Sequence, residues 1–390
     1  MSRIYELIEQ LCPRGVAFKT LGDVLAYEQP TKYLVASTAY DNAHETPVLT
    51  AGQTFILGYT DESDGVYPAS PDTPVVIFDD FTTAFKWVAF PFKAKSSAMK
   101  MLTPKSGAEI DFRYVFYVMQ TIRYEPQDHA RQWIGTYSRF RVPIPPVEIQ
   151  QEIVRILDTF TELEAELEAE LEARKKQYAY YRNTLLIFGD RVGFKSLDNL
   201  FETRNGYTPS KSDSSNWTDG TIPWFRMEDL RENGQLLDDA IQHIPESALK
   251  GGRLFPANSI IVATSATIGE HALITVPYMA NQRFTALWLK PQFASLFDMK
   301  FVFYYCFVLD EWCRNNTTTS SFSSVDMSGF KQFKFPIPPL EVQHEIVRIL
   351  DKFNALVNDL NIGLPAELAA RRKQYEYYRD RLLTFEEALV

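Results

Sequence analysis

Three cysteines in 390 residues, Cys12, Cys306 and Cys313, are odd in number and lack C-x-x-C spacing, which argues against a disulfide frame or a zinc site. They read as buried or incidental thiols of a reducing compartment, so the cytoplasm is the expected setting. Histidine is scarce as well, and His44, His129, His243, His271 and His344 stand at no metal-ligand spacing. No apolar run reaches the ~18–20 residues that a membrane helix needs. The opening MSRIYELIEQLCPRG has neither the apolar segment nor the cleavage site of a signal peptide. No membrane partner is therefore expected. The G-x-x-x-x-G-K-[ST] phosphate loop is missing, which argues against ATP held in that way. So is an Asn-Pro-Pro-aromatic sequence, which a methylating centre would need; residues 143–146 read PIPP, without the Asn. Asp79 and Asp80 resemble a nuclease carboxylate pair, but neighbours on a strand point to opposite faces and no E-x-K follows. The chain is not expected to be an enzyme, nor to bind a cofactor or metal.

What is present is ample core-forming material. Hydrophobic residues make up 45% and aromatics 14%, enough for two or three packed domains at this length. Net charge is −10, yet residues 1–145 and 189–338 each carry 14 basic against 16 acidic groups. The globular stretches are thus nearly neutral, and a local basic groove fits in either.

The chain also writes one long sentence twice. PIPPVEIQQEIVRILDTF starts at Pro143 and closes with RKKQYAYYR; PIPPLEVQHEIVRILDKF starts at Pro336 and closes with RRKQYEYYR. The offset is 193 at Pro143 and Pro336 but 197 at Arg174 and Arg371, so the second copy holds four extra residues. Shorter echoes lie outside: GVAFKTL at 15–21 against RVGFKSL at 191–197, and DFRYVFY at 111–117 against DMKFVFY at 298–304. A repeated frame surrounds two unlike inserts, which is a duplication. It divides the chain into globular segments 1–145 and 189–338 and long-helix segments 146–188 and 339–390.

Both inserts read as α+β. Strands are expected at 75–78 (VVIF), 87–92, 259–263 (SIIVA) and 285–289, and helices at 111–122 and 299–309. In the long segments apolar residues recur every three or four positions, the stripe of a helix that needs a long partner. We expect Ile153, Leu157, Phe160, Leu163, Leu167, Leu171 and Tyr178 to face Ile346, Leu350, Phe353, Leu360 and Tyr375. Gly363 and Pro365 predict a kink or break in the second copy.

The duplicated PIPP-x-E-x-Q-x-EIVRILD-x-F sentence and its RKKQYAYYR or RRKQYEYYR ending resemble the specificity subunits of type I restriction-modification systems. The run ELEAELEAELEA at 162–173 resembles the subgroup with four-residue repeats in its central helix. The resemblance spans the whole chain. It implies that segments 1–145 and 189–338 are target recognition domains, each reading half of a split double-stranded DNA site. The two long helices would pair as an antiparallel coiled-coil spacer. Two methyltransferase subunits would supply S-adenosylmethionine chemistry at adenine N6. Restriction subunits would add ATP- and Mg-dependent translocation and cleavage.

Reading a base sequence needs donors and acceptors at base edges and basic or hydroxyl groups at phosphates. In the first domain the candidates are Thr50, Gln53 and Thr54; Asp80, Thr82, Thr83 and Lys86; Lys95, Ser96, Ser97 and Lys100; and Arg131 with Gln132. In the second they are Asn205, Tyr207, Thr208 and Lys211; Trp224 with Arg226; Thr264, Ser265 and Thr267; and Asn281, Gln282 and Arg283. A polar tract at 315–321 is a further candidate. The other reading is a coiled-coil scaffold whose two variable domains bind protein, which the acidic balance favours slightly.

Overall fold

The computed structural model describes residues 2–52, 54–127, 130–189, 191–318, 323–359 and 362–388. Candidate positions Gln53 and Leu360, and the tract from Thr319 to Ser321, lie outside them. The chain forms two compact units: Met1–Glu166 with Ala369–Val390, and Leu167–Leu368.

In the first unit Ala17–Thr20 pairs antiparallel with Arg141–Ile144, setting Phe18 opposite Pro143. A four-stranded antiparallel sheet follows in the order Leu25–Glu28, Met99–Pro104, Val75–Asp79, Phe85–Val88. A smaller sheet orders Ile56–Thr60, Thr46–Leu49, Lys93–Ala94. The VVIF strand is buried throughout, and strand geometry explains why it is apolar without alternation. Val76 and Phe78 join the cluster holding Tyr114, Val115 and Ile149, while Val75 and Ile77 face a second cluster with Leu49 and Phe92. The strand expected to run to Phe92 stops at Val88, and Pro91, which cannot donate to a ladder, follows in the irregular stretch.

The second unit repeats the plan. Gly193–Ser196 pairs with Lys334–Ile337, setting Phe194 opposite Pro336. Its main sheet orders Phe201–Asn205, Phe284–Leu289, Ser259–Ala263, His271–Ile274, Leu236–Leu237, the last pair being parallel. Ile260 and Val262 feed one core, Ile261 and Ala263 the other. A smaller sheet joins His243–Ile244, Ile222–Phe225 and Met279–Ala280.

The repeated words are contacts. In the first unit Gln150 Oε1 accepts from the Asp111 N–H at 2.8 Å, and Gln150 Nε2 donates to the Pro145 carbonyl at 2.7 Å. In the second, Gln343 does the same with Asp298 at 2.9 Å and Pro338 at 2.8 Å. Asp158 accepts from the Tyr117 hydroxyl and from Arg113 Nε. Asp351 accepts from the Tyr304 hydroxyl at 2.7 Å and Lys300 Nζ at 2.6 Å. The D-F-R-Y-V-F-Y or D-M-K-F-V-F-Y word and the E-x-Q-x-E-I-V-R-I-L-D word therefore lash one helix of each unit, Phe112–Met119 or Met299–Asn315, to a long helix.

The first long helix is continuous over Val147–Leu185. The second is broken into Leu340–Asn358 and Leu364–Leu382, at the expected Gly363 and Pro365. At Gly363 a Cβ would lie 2.5 Å from the Ala355 carbonyl oxygen, so only glycine fits. Within the first unit the pairing is antiparallel: Phe160 meets Tyr375 and Tyr378, and one turn later Glu164 meets Arg372. Ile153 and Leu157 are fully buried there, in the same cluster as Leu382 and Leu383. In the second unit Tyr178 and Tyr181 close on Phe353, while Leu171, Ile346 and Leu350 are buried and Leu167 is half-buried. Leu163 departs from the expected seam: it is 41% exposed. At that level the partner helix presents Arg372, which pairs with Glu164 at 2.6 Å.

The C-terminal segment completes the first unit. Val16 N–H donates to the Glu386 carbonyl at 2.9 Å, and Ala388 N–H to the Val16 carbonyl at 3.0 Å. Gly15, at φ +88°, lies so close that a Cβ would stand 2.6 Å from the Glu386 oxygen.

Candidate nucleic-acid interface

In the second unit the strands deliver several separated sequence clusters to one cleft of about 440 Å³. Seven expected residues line it: Thr208, Lys211, Trp224, Arg226, Asn281, Gln282 and Arg283. Trp224 forms the floor. Its Nε1 donates to the Tyr207 carbonyl at 2.9 Å, and its ring meets Trp217 edge-on at 4.9 Å. Arg226 lies over Trp224 with its guanidinium 5.7 Å from the ring centre. Buried Asp229 fixes the backbone there, accepting from the Arg226 N–H at 2.6 Å and the Ile241 N–H at 2.7 Å. The Arg226 Nε is buried and has no hydrogen-bond partner; Glu228 stands 3.9 Å away. Opposite, Thr208 Oγ1 donates to Gln282 Oε1.

The arrangement offers cations, amide groups and an aromatic floor together, the inventory used to hold a nucleic-acid backbone and read base edges. Lys211, Arg226 and Arg283 against Glu228 give a local positive balance in an acidic chain. Trp217, Met227, Glu228 and Gln242 also line the cleft and were missed by sequence reasoning. Trp217, five residues after Ser212 in a polar loop, was the available signal.

The remaining candidates of this unit lie elsewhere. Asn205 is exposed, and its Oδ1 accepts from Thr285 Oγ1 at 3.0 Å. Thr264 is buried and shares a 2.9 Å hydroxyl contact with Thr285, so it is structural. Ser265 and Thr267 are half-buried in the loop after the SIIVA strand.

The first-unit candidates divide into exposed, half-buried and buried. Thr54, Thr82, Lys86, Ser97 and Arg131 are exposed. Lys95 is half-buried, its ammonium 5.6 Å from the Tyr40 ring centre, and Ser96 Oγ accepts from the Ala98 N–H. Thr50 is tied into its own turn, donating to the Thr54 carbonyl at 2.7 Å.

In the first unit four expected contacts are, like Thr264 in the second, corrected by burial. Asp80 and Lys100 are both fully buried, paired at 2.9 Å, and Asp80 also accepts from the Trp133 N–H at 2.7 Å. Gln132 is buried between the Tyr124 hydroxyl and the Ala130 carbonyl. Thr83 is buried at φ +58° with its hydroxyl bonded to the Thr82 carbonyl. Each has spent its polar atoms on the fold.

Cys12, Cys306 and Cys313 are free and buried, and burial raises each thiol's pKa. Among the described residues no three His, Cys, Asp or Glu side chains gather as a metal site, and no helix is long and apolar enough to cross a membrane.

The repeated units coincide with a known sequence family. The model of the type I restriction modification DNA specificity domain matches twice, at residues 13–173 and 190–370. The chain belongs to this family. It is 44% identical to the EcoR124I/EcoR124II type I restriction enzyme specificity subunit of Escherichia coli, over 99% of this chain and 98% of that one. It is 59% identical to the EcoprrI specificity subunit of E. coli over 52% of each chain. In fold it resembles the S subunit of a type I restriction-modification system from M. genitalium, with a TM-score of 0.56 at 11% identity over 94% of this chain and 96% of that one. A chain solved in work on complex assembly of the type I R-M system gives 0.58 at 14% identity over 95% and 98%. The specificity-domain matches end inside the repeated helices, so each family unit is a globular segment plus more than half of its long helix.

Proposed function

We propose that this chain is the DNA-recognition subunit of a type I restriction-modification complex, and that it is not itself catalytic. The full-length likeness to a specificity subunit carries the reading, and the basic, aromatic-floored cleft supports it. The two units differ in their inserts, so each reads its own half of a bipartite, asymmetric site. Two methyltransferase subunits dock on the frame shared by both halves and supply S-adenosylmethionine for adenine N6 methylation. Restriction subunits bring ATP and Mg for translocation and cleavage. The assembly works in the cytoplasm. None of the relatives described above supports a protein-binding scaffold, the other reading of the sequence.

Co-expression with the methyltransferase subunit tests this. The expected product is a complex of two methyltransferase chains per specificity chain that binds specific duplex DNA. A free chain that never co-purifies with methyltransferase would contradict the proposal.

A further inference from the structure

The turn at residues 281–283 joins the Met279–Ala280 and Phe284–Leu289 strands. It is pinned on several sides. The Asn281 N–H donates to the Phe225 carbonyl at 3.0 Å, the Arg283 N–H to Asn281 Oδ1 at 3.0 Å, and the Phe284 N–H back to the Asn281 carbonyl at 3.2 Å. The Tyr207 N–H donates to the preceding Ala280 carbonyl at 2.7 Å. Gly206 packs so tightly beneath it that a Cβ would fall 1.9 Å from the Asn281 oxygen. A turn fixed this firmly still sends out two exposed side chains, Gln282 and Arg283. Gln282 is oriented by Thr208. The guanidinium of Arg283 has no hydrogen bond or ion pair among the described residues.

We infer that this turn is the base-reading tip of the second unit and that Arg283 takes the O6 and N7 edge of a guanine in the half-site this unit reads. The inference rests on the function proposed above. Guanine is the base whose major-groove edge presents two adjacent acceptors, which match the guanidinium fork. A backbone contact needs only charge and tolerates a mobile side chain, whereas a base contact needs a fixed origin, which the pinned turn supplies. Lys211, exposed on the facing loop, takes the phosphate role.

The test uses the full chain in complex with its methyltransferase subunits, and duplexes carrying the mapped site with each G·C pair replaced in turn by A·T. At one pair the wild-type complex should discriminate by about 5- to 150-fold, the span of one bidentate base contact. Arg283→Ala should abolish discrimination at that pair and at no pair of the other half-site. Arg283→Lys, which keeps the charge, should also lose most of it. Lys211→Ala should weaken all duplexes alike and lower the salt slope by about one. Arg283→Ala weakening every duplex equally, or changing none, would overturn the assignment. A wild-type complex with no sequence preference would instead overturn the proposed function. Co-purification of each variant with methyltransferase and an unchanged melting temperature show that the fold is intact.

Discussion

Charged side chains in this protein divide between those buried in the fold and those left exposed. Asp80 and Lys100 are the clearest builders. Removing one partner of a buried pair leaves the other charge without compensation, a loss of about 3–5 kcal/mol. Lys100→Ala should therefore lower the denaturant midpoint strongly, whereas Lys86→Ala, at an exposed position, should leave it nearly unchanged. Chemical denaturation of the purified chain separates the two. Lys93 and Glu62 form a second internal pair at 2.6 Å. The Lys93 ammonium, helped by the Ser37 and Ala36 N–H groups, holds the Glu62 carboxyl down to about 2, from 4.5. A carboxylate depressed by folding stabilises above its ordinary pKa and loses that contribution as pH falls toward the folded value. The stability gap between wild type and Glu62→Gln should be full at neutral pH, narrow below 4.5 and close near 2. A gap constant across that range in denaturation curves would refute the pairing. At this scale the sequence was only partly legible. Asp80 and Lys100 looked like surface groups because opposite charges twenty residues apart give no sign that a sheet will bring them together.

The repeated helices and strands were far more legible, because periodicity and duplication are local to the text. The VVIF and SIIVA strands, the break at Gly363 and Pro365, and the α+β class all follow from patterns of a few residues. What the pattern did not reveal is why the frame repeats. Gln150 and Asp158, with Gln343 and Asp351, are polar residues on largely apolar stripes, and only the folded units show their partners. Asp158→Ala strips the acceptor from both Tyr117 and Arg113 and should cost about 1–3 kcal/mol, measurable as a lowered midpoint; Asp351→Ala should behave alike in its own unit. The repeats at 162–173 carry a different prediction. Four residues add about 6 Å to a helix, on the order of one to two base pairs of duplex length. One extra Glu-Leu-Glu-Ala unit should therefore lengthen the non-specific spacer of the methylated site and leave both half-sites unchanged. Methylation mapping that shows the old spacer with an altered half-site would refute this.

For the whole molecule, acidity and DNA binding are reconciled by distribution. The chain carries −10 overall, but the second unit gathers three cations and one carboxylate around a cleft floored by tryptophan. Binding by the chain alone should be modest and steeply salt-dependent, since phosphate contacts release counterions. The methyltransferase subunits are expected to add much of the grip on the duplex. On the proposed function, duplication of the frame with unlike inserts would give one molecule two different readers. The most direct measurement is sequencing of N6-methyladenine in DNA from cells that express this chain with its methyltransferase subunit and no other adenine methylase. The expected result is a single bipartite motif, two unlike half-sites separated by a spacer of fixed length and no sequence preference. Adenine methylation with no sequence specificity, or a single uninterrupted motif, would contradict it.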